Sequence, residues 1–365
     1  MIDDVLVIGG GAIGCAASLA LARRGARVRL LERAHPGAEA SSAAAGILGA
    51  YAEAHGGGAL TSLCLQSLSM YAAWVAELER ATGVDIGYRP SGSMRVLFDR
   101  GAWDREVAAT SALFGSAARA LDVAEARARE PALSAAIAGA IEFPADCRID
   151  PPALVRALDG AVRGAGVAVQ EGADVARVTV EEGRAVGAAL RGGELVRAGA
   201  VVITAGAWSL LEGSGLRARE IEPVRGQMLE LRTPVRPLDH VVFGPGAYLS
   251  PRDDGRVIVG STQERVGFHK AVTVRGIRGL LEGAVACVPE LEEAELVRTW
   301  SGLRPATPDD APLLGPGGAR GLFVAAGHFR NGILLAPITG GIVAGLVTGG
   351  ARVADLAPFA VDRFA

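Results

Sequence analysis

Two arginines near the carboxyl end of the chain occupy positions suited to binding an anion. Arg330 lies in "GHFRNGILLAP" (327 to 337), between apolar runs typical of buried elements, so its charge is placed at a strand-to-helix junction. Arg304 lies in "WSGLRPAT", directly before Pro305, at the predicted end of a strand. A guanidinium is a planar fork that binds a carboxylate through two parallel hydrogen bonds. The sequence therefore predicts a carboxylate site, and a purely structural role is the alternative for each arginine.

The composition limits the kind of protein that can contain such a site. The chain has 365 residues, which is enough for two domains or one large domain with a substantial core. Half of the residues are hydrophobic and the net charge is -3, so there is no basic field for nucleic acid. Lys270 is the only lysine. Almost every positive charge is therefore an arginine, and an isolated arginine is weaker evidence of function than it is in most sequences.

The remaining reactive residues and the ends of the chain give no sign of a disulfide, a metal site or a membrane anchor. The cysteines lie far apart, at positions 15, 64, 147 and 287, without metal-ligand spacing, and the histidines are equally dispersed. The first residues enter a strand without a secretion signal. The apolar C-terminal run is interrupted by Arg330 and Pro337, so we predict no transmembrane helix. Because neither the cysteines nor the histidines have ligand spacing, we also predict no metal site. A reducing cytoplasm is the expected location.

The N-terminal segment is typical of a dinucleotide-binding unit. "VLVIGGGAIGCAASLALARRGARVRLLER" predicts a strand, a glycine turn, a helix and a second strand. Gly9, Gly11 and Gly14 fit the pattern GxGxxG, which permits a tight turn, close approach of phosphate to backbone, and close packing of helix on strand. Glu32 follows Gly14 by 18 residues, where a carboxylate binds the ribose hydroxyls of an adenosine. A glycine turn with only a structural role is the alternative.

Further segments predict the rest of the architecture. Small side chains dominate "EASSAAAGILGAYAE" (39 to 53), which lets backbone approach a flat ligand, and an alanine-rich helix start is the alternative. Residues 59 to 82 have the apolar spacing of an amphipathic helix that faces a core. Asp150 is the expected N-cap of a later helix, with proline in its first turn. Residues 219 to 299 are rich in alternating strands and predict the sheet of a substrate domain.

The sequence resembles the D-amino-acid oxidase-like flavoprotein family, in particular its glycine oxidase branch. The likeness lies in "WSGLRPATPDDAPLLGP", "GLFVAAGHFRNGILLAPITGG" and "SSAAAGILGAYAE", and it is weakest from 85 to 145. It implies an α/β fold with a Rossmann-like FAD-binding domain of the two-dinucleotide-fold type and a second, mainly antiparallel substrate domain. The implied FAD-binding domain is discontinuous and comprises residues 1–78, 146–218 and 306–365, and the implied substrate domain comprises 79–145 and 219–305.

This resemblance also implies FAD as the cofactor and assigns its contacts. The implied cofactor-binding residues are Gly9, Gly11, Ala12, Ile13, Gly14, Glu32, Arg33, Ala40, Ser41, Ser42, Ala45, Gly46, Ile47, Val175, Gly206, His328, Phe329, Asn331, Gly332, Ile333 and Leu334. Gly332 and Ile333 are expected to begin a helix whose N–H groups point at the pyrimidine end of the flavin. Covalently flavinylated sarcosine oxidases bond the ring to a C-terminal cysteine. No cysteine follows Cys287 here, so we expect non-covalent FAD.

The catalytic residues implied by the resemblance are Tyr248, Arg304 and Arg330. The tyrosine hydroxyl is expected to join Arg304 on the substrate carboxylate, while the main-chain carbonyl of Arg330 receives the substrate amine. Glu53 and Gln263 are expected to line the same pocket.

The implied reaction is oxidation of glycine or another small amino acid by hydride transfer from Cα to flavin N5. The products are an imine and then an oxoacid, with ammonia, and molecular oxygen is reduced to hydrogen peroxide. A role in thiamine (thiazole) biosynthesis is implied by the resemblance alone. A D-amino-acid or sarcosine oxidase, a quinone-dependent dehydrogenase, and a protein that keeps a nucleotide without turnover are the alternatives. The preferred amino acid and the oligomeric state, including a homo-oligomer, stay open.

Overall fold

The computed structural model describes residues 3–54, 56–350 and 354–364. The strands are β1 (Asp3–Ile8), β2 (Val28–Leu31), β3 (Ile47–Leu48), β4 (Ser93–Leu97), β5 (Arg119–Leu121), β6 (Gly139–Phe143), β7 (Cys147–Arg148), β8 (Ala168–Gln170), β9 (Val175–Glu181), β10 (Arg184–Leu190), β11 (Leu195–Ile203), β12 (Glu222–Arg232), β13 (Val241–Gly244), β14 (Ala247–Pro251), β15 (Arg256–Gly260), β16 (Glu295–Ala306), β17 (Leu313–Pro316) and β18 (Leu322–Ala326). The α-helices are α1 (Ala12–Arg23), α2 (Ala40–Ala43), α3 (Ala59–Thr82), α4 (Arg100–Phe114), α5 (Val123–Arg129), α6 (Pro151–Gly164), α7 (Val274–Cys287) and α8 (Ala336–Thr348). Short 3-10 helices cover Gly115–Ala117, Gly206–Trp208, Pro289–Glu293, Phe329–Asn331 and Ala357–Phe359.

The first large sheet carries the N-terminal unit. Its order is β17-β18-β11-β1-β2-β8, and β10 and β9 extend it from β11 as an antiparallel pair. β1 pairs in parallel with both β2 and β11, and β11 pairs in parallel with β18. The predicted order of strand, glycine turn, helix and strand is confirmed, with α1 connecting β1 to β2. The carboxyl ends of β1, β2 and β11 consequently meet at one edge, where ligands bind in open α/β sheets.

The second large sheet has the order β16-β12-β15-β14-β13-β4-β6-β5. All its neighbours are antiparallel except β13 and β4. The expected α/β fold with a parallel sheet and a mainly antiparallel second sheet is confirmed. The strand-rich prediction for 219 to 299 omitted α7, whose buried Leu280, Ala284 and Cys287 recur at helical spacing against the second sheet.

Helix α3 confirms the amphipathic helix expected over residues 59 to 82. Its buried face includes Leu63, Tyr71, Val75 and Leu78, which belong to the core beneath the parallel sheet. By length and composition alone it is also the one described helix that could cross a membrane. In this structure its apolar face packs on the core. The four cysteines are all buried and unpaired.

The starts of two helices test the capping predictions. Asp150 is the N-cap of α6, with proline at the first two positions, as expected. The helix expected to begin at Gly332 instead begins at Ala336, after the 3-10 turn Phe329–Asn331. Pro337 has no N–H, so it is accommodated in the first turn of a helix, where that donor needs no partner. The prediction of the helix start at Gly332 is therefore wrong.

Candidate functional site

A cavity of about 640 Å³ lies at the carboxyl edge of the parallel sheet. One side is formed by the glycine turn after β1 and by the ends of β2 and β11. The opposite side is formed by β12 and β16 of the second sheet and by the segment after β18. The cavity therefore joins the dinucleotide-binding unit to the region that carries Arg304 and Arg330.

The glycine turn is shaped so that the first turn of α1 is open to this cavity. Gly9 has φ of +105°, and a Cβ there would lie 2.6 Å from the Thr204 carbonyl oxygen. A Cβ at Gly14 would lie 1.8 Å from the Gly9 carbonyl oxygen, so helix and strand pack backbone to backbone. Ala12 and Ile13 line the cavity. The N–H groups of a first helical turn and the helix dipole at such a position fit a pyrophosphate.

Polar side chains fix the entrance to this turn. The Glu32 carboxylate accepts hydrogen bonds from Gly10 N at 2.8 Å and from Ala34 N at 2.9 Å. The Ser41 hydroxyl accepts a hydrogen bond from Ala12 N at 2.9 Å. Glu32 is held at the end of β2 and lines the cavity, as an acid that binds a ribose must. These residues fit the adenosine half of FAD.

An aromatic wall at the adenosine end was not predicted. The Arg33 guanidinium lies 4.3 Å from the Trp208 ring centroid, and the rings of Trp208 and Phe268 are 5.4 Å apart. Lys270 pairs with Glu39 at 2.8 Å and ties the β15–α7 connection to the parallel-sheet side. Trp208 ends the 3-10 helix Gly206–Trp208, directly after β11. Phe268 lies in a connection without a recognisable pattern, so only the folded chain brings it here.

The predicted cofactor positions divide into two groups. Those that line the cavity are Gly9, Gly11, Ala12, Ile13, Glu32, Arg33, Ala40, Ser41, Val175, Gly206, His328, Phe329, Gly332 and Ile333. Those that are not among the lining residues are Gly14, Ser42, Ala45, Gly46, Ile47, Asn331 and Leu334. Part of the segment from 39 to 53 forms the short helix α2, and its small side chains at 40, 41, 43 and 44 line the cavity; the approach of this backbone to a flat ligand stays a prediction.

The segment from 45 to 47 is held from behind by a buried arginine. Arg252 donates to the Ala45 carbonyl oxygen at 2.7 Å, and burial lowers the pKa of Arg252 to about 10. Gly46 has φ of +75°, and a Cβ there would lie 2.1 Å from the Ile149 carbonyl oxygen. The backbone next to the cavity is thus fixed by a hydrogen bond from Arg252 and by the close approach of Gly46 to the Ile149 carbonyl.

Two glycines on adjacent strands make room for the predicted substrate-binding side chains. A Cβ at Gly226 would lie 2.1 Å from Nη1 of Arg304, and a Cβ at Gly260 would lie 2.5 Å from the Tyr248 hydroxyl. The Tyr248 hydroxyl donates to the Met228 sulfur at 3.3 Å. Burial raises the pKa of Tyr248, so the phenol stays protonated and can donate a hydrogen bond to an anion. Tyr248 is not itself among the lining residues, whereas Met228 and Arg304 are.

Arg304 is oriented by neutral groups. Its guanidinium donates to the Thr262 carbonyl oxygen at 3.2 Å and to the Ser261 hydroxyl. Among the residues that the structure describes, no carboxylate forms an ion pair with it. Arg225, on the neighbouring strand, instead has a bidentate partner in Glu264, with both contacts at 3.0 Å. A half-buried guanidinium held by neutral oxygens is suited to an anionic ligand.

Arg330 lines the cavity and has a carboxylate behind it. Its Nε lies 3.7 Å from Oε2 of Glu53. Burial raises the pKa of Glu53, and the positive charges of Arg330, Arg304 and Arg95 oppose that shift. Gln263, which was expected to line the pocket, is exposed and is not among the lining residues. The turn after β15 directs the backbone toward Arg304 and the side chain of Gln263 to solvent.

His328 precedes Arg330 and is 3% exposed. Its Nε2 lies 3.2 Å from the Thr339 hydroxyl oxygen, and burial lowers the pKa of the imidazole to about 3. The ring is therefore neutral throughout the physiological pH range.

This neutrality predicts a pH-dependent contribution to stability. Because the folded pKa lies below the unfolded value of about 6.5, protonation favours the unfolded chain, and stability is lost as the pH falls from about 6.5 toward 3. Between pH 7 and pH 5 we expect His328 to account for about 2 kcal/mol of the lost free energy of unfolding. His328→Gln should lose correspondingly less over this interval in urea titrations. His35→Gln, at an exposed histidine, should behave like the parent, and equal losses for all three proteins would contradict the assignment.

Comparison with known proteins gives independent findings. A family model described as "DAO: FAD dependent oxidoreductase" matches residues 4–346. A glycine oxidase from Geobacillus kaustophilus is 39% identical over 368 residues, which cover 99% of this chain and 97% of that protein. The crystal structure of glycine oxidase from Geobacillus kaustophilus superposes with a TM-score of 0.93, over 99% of this chain and 98% of that chain.

A second kind of relative is longer. The bifunctional protein ThiO/ThiG from Nostoc sp. is 38% identical over 351 residues, which cover 95% of this chain but 53% of that protein. The chain therefore spans about half the length of this relative.

Proposed function

This chain belongs to the DAO family of FAD-dependent oxidoreductases, and we propose that it catalyses the oxidative deamination of glycine or another small amino acid. The single observation that carries the substrate class is Arg304. It is a half-buried guanidinium at the cavity wall, held by the Thr262 carbonyl and the Ser261 hydroxyl, with no carboxylate partner in the described part of the chain. Such a group binds a carboxylate more readily than a neutral ligand.

Each proposed catalytic residue has a defined task. Arg304 binds the substrate carboxylate, and the protonated Tyr248 hydroxyl donates to the same group. Arg330 offers its main-chain carbonyl to the substrate amine. Contacts to the carboxylate and to the amine fix the position of the substrate Cα between them. This positioning lowers the activation barrier, because the entropy cost of orienting the substrate is met on binding. The positive charge of Arg304, which has no carboxylate partner in the described part of the chain, disfavours an ammonium and so helps to keep the amine unprotonated.

FAD, when bound, supplies the acceptor for the two electrons removed from the substrate. The proposed cofactor contacts are Gly9, Gly11, Ala12, Ile13, Gly14, Glu32, Arg33, Ala40, Ser41, Ser42, Ala45, Gly46, Ile47, Val175, Gly206, His328, Phe329, Asn331, Gly332, Ile333 and Leu334. We also propose that FAD is held without a covalent bond, because no cysteine follows Cys287. The domain boundaries at 78, 145, 218 and 305 stay predictions.

The proposed products are an oxoacid, ammonia and, with molecular oxygen as the acceptor, hydrogen peroxide. We propose a cytoplasmic role in supplying a glycine-derived imine for the thiazole of thiamine. The similarity to the bifunctional protein ThiO/ThiG, of which the matched segment covers 53%, supports this role. A D-amino-acid or sarcosine oxidase, or a dehydrogenase that uses a quinone, is the second candidate.

A panel of substrates tests the proposal. We expect glycine, sarcosine and D-alanine to bleach the flavin absorbance anaerobically and to release peroxide in air. One additional methyl group changes the binding free energy in a small pocket only modestly. The transition-state stabilisation of glycine and D-alanine should therefore differ by about 1 to 3 kcal/mol. D-phenylalanine should react poorly because it is bulky, and L-alanine should fail because its Cα hydrogen or its carboxylate is turned away.

The controls separate the alternatives. Bleaching without peroxide release would favour a quinone-dependent dehydrogenase. A clear preference for D-phenylalanine, or equal rates for the two alanines, would refute the substrate assignment. Absence of bleaching by every amino acid would refute the proposed function and favour nucleotide binding without turnover.

A further inference from the structure

Glu53 brings a negative charge to the substrate end of the cavity. It lies in the connection between β3 and α3, its side chain is 20% exposed, and its Oε2 lies 3.7 Å from Nε of Arg330. The carboxylate is also within electrostatic reach of Arg304 and Tyr248. The negative charge of Glu53 raises the pKa of Tyr248, and the positive charge of Arg304 lowers the pKa of Glu53. Glu53 is not among the residues that line the cavity, whereas its partner Arg330 is, so Glu53 acts on the cavity through Arg330.

The backbone on the N-terminal side of Glu53 is fixed by a buried acid. Asp146 is fully buried and accepts hydrogen bonds from Tyr51 N and Ala52 N, each at 3.0 Å, and from the Ser93 hydroxyl at 2.7 Å. Glu53 N donates to the Gly49 carbonyl oxygen at 3.0 Å, which closes the turn. The second sheet thus holds the turn in place, and the position of the Glu53 carboxylate beside Arg330 is built into the fold.

The charges at this end of the cavity nearly balance a substrate with one carboxylate. Arg304 and Arg330 contribute two positive charges, and ionised Glu53 contributes one negative charge. Arg95 also acts on Glu53, but its charge is paired with Glu106 at 2.6 Å. The remaining single positive charge is matched by one carboxylate of an amino acid whose amine is neutral. A second carboxylate would have to approach Arg330, where Glu53 already provides the counter-charge and would repel it.

We propose that Glu53 is a specificity-determining residue that neutralises Arg330 and thereby restricts the site to amino acids with a single carboxylate. The inference rests on the proposed function, because it concerns the substrates of that reaction. It assigns the two arginines different tasks. Arg304 binds the carboxylate that every substrate carries, whereas the charge of Arg330 is balanced by Glu53 and does not select for a second carboxylate.

Two unreactive ligands test this selectivity directly. Methoxyacetate has the shape of sarcosine with an ether oxygen in place of the amine, and diglycolate differs from it by one added carboxylate. Dissociation constants for the FAD-loaded protein follow from the perturbation of the flavin absorbance, at about pH 8, where the high pH and the neighbouring guanidinium groups both favour the carboxylate form of Glu53. The parent should bind methoxyacetate more tightly. In Glu53→Gln the ratio should shift toward diglycolate by about 10-fold or more.

Matched variants separate charge from structure. Glu53→Asp keeps the charge and should keep a preference for methoxyacetate. Glu106→Gln removes the carboxylate that pairs with Arg95 at 2.6 Å, and because Arg330 pairs with Glu53 instead, this variant should shift the ratio far less than Glu53→Gln. An unchanged ratio in Glu53→Gln, or an equal shift in Glu106→Gln, would overturn the proposal.

Loss of FAD or of folding in Glu53→Gln would also change ligand binding, so it has to be distinguished from loss of the charge. Flavin content is measured for every variant, and Glu53→Ser provides a second neutral replacement. If neither neutral variant retains FAD, the residue is structural and the proposal is overturned.

The kinetic counterpart distinguishes this inference from the proposed function. Sarcosine and iminodiacetate differ in the same way as the ligand pair, and Glu53→Gln should raise the ratio of kcat/KM for iminodiacetate to that for sarcosine. If the parent oxidises no amine but the ligand ratio shifts as expected, the proposed function fails, while the effect of Glu53 on the number of carboxylates that the cavity accepts stands. If the parent oxidises glycine and neither ratio shifts, the role of Glu53 fails alone.

Discussion

Replacement of Arg304 by alanine is expected to weaken the binding of a monocarboxylate such as glycolate by about 2 to 5 kcal/mol, roughly 30-fold to 5000-fold. The guanidinium is already oriented by the Thr262 carbonyl and the Ser261 hydroxyl, so its loss removes a preorganised charge from the cavity wall. Thr262 and Ser261 cannot replace it, because neither carries a charge. The flavin spectrum of the unliganded variant should stay nearly unchanged. Titration of glycolate into the FAD-loaded protein, followed by flavin absorbance, gives the dissociation constants.

Two further variants show whether the loss of glycolate affinity is due to the guanidinium group of Arg304 in particular. Arg304→Lys should recover only part of the affinity, since one ammonium cannot make two parallel hydrogen bonds to a carboxylate. Arg298 lies on the same strand, is 57% exposed and pairs with Glu230 at 2.8 Å. Arg298→Ala should therefore bind glycolate like the parent. Parent-like affinity in Arg304→Ala would show that the carboxylate is bound elsewhere.

The parts of the fold that the sequence predicts are those determined by local pattern. The glycine turn, α1 and Glu32 follow from one continuous segment, because turn, helix and strand signals there agree with one another. The helix over residues 59 to 82 is equally local, since its apolar spacing alone requires a buried face. Asp150 and the prolines after it signal the start of α6 in the same way.

The features that the sequence does not predict depend on pairing between distant segments. Gly226 and Gly260 are two glycines among 50, and only the pairing of β12, β14, β15 and β16 places them beneath Arg304 and Tyr248. Phe268 reaches Trp208 through a connection without secondary structure of its own. No spacing rule links Phe268 to Trp208 or Gly226 to Arg304, so these contacts required the folded chain.

Arg330 is partly predictable from local sequence and partly dependent on a contact with a distant segment. Its place after β18 and before an apolar helix marks it as unusual in the sequence alone. Its pairing with Glu53 joins residues 277 positions apart, so the carboxylate that balances its charge is invisible to local pattern. The sequence thus identifies the arginine as a residue of interest. The structure is needed to decide whether its charge is available to a ligand or already balanced by the protein.

Replacement of Gly9 by alanine is expected to abolish stable FAD binding, with a loss of affinity of about 100-fold or more and a loss of stability of about 2 to 6 kcal/mol. The residue has φ of +105°, which an alanine adopts only with strain, and its Cβ would lie 2.6 Å from the Thr204 carbonyl oxygen. Because that oxygen belongs to the main chain after β11, the clash can be relieved only by moving the glycine turn or the end of the strand. Either movement displaces the first turn of α1. The measurement is the flavin content of the purified variant and the dissociation constant of FAD for its apoprotein.

Gly25 provides the matched control for this experiment. It belongs to the same βαβ unit and also has positive φ, +84°, but a Cβ there would meet no atom within 4 Å. Gly25→Ala therefore carries the backbone strain without the clash, and it should cost about 1 kcal/mol of stability and leave FAD affinity unchanged. A similar loss of FAD in both variants would mean that strain in the unit, and not the close approach of Gly9 to the Thr204 carbonyl, controls binding. Parent-like FAD affinity in Gly9→Ala would place the pyrophosphate away from the first turn of α1.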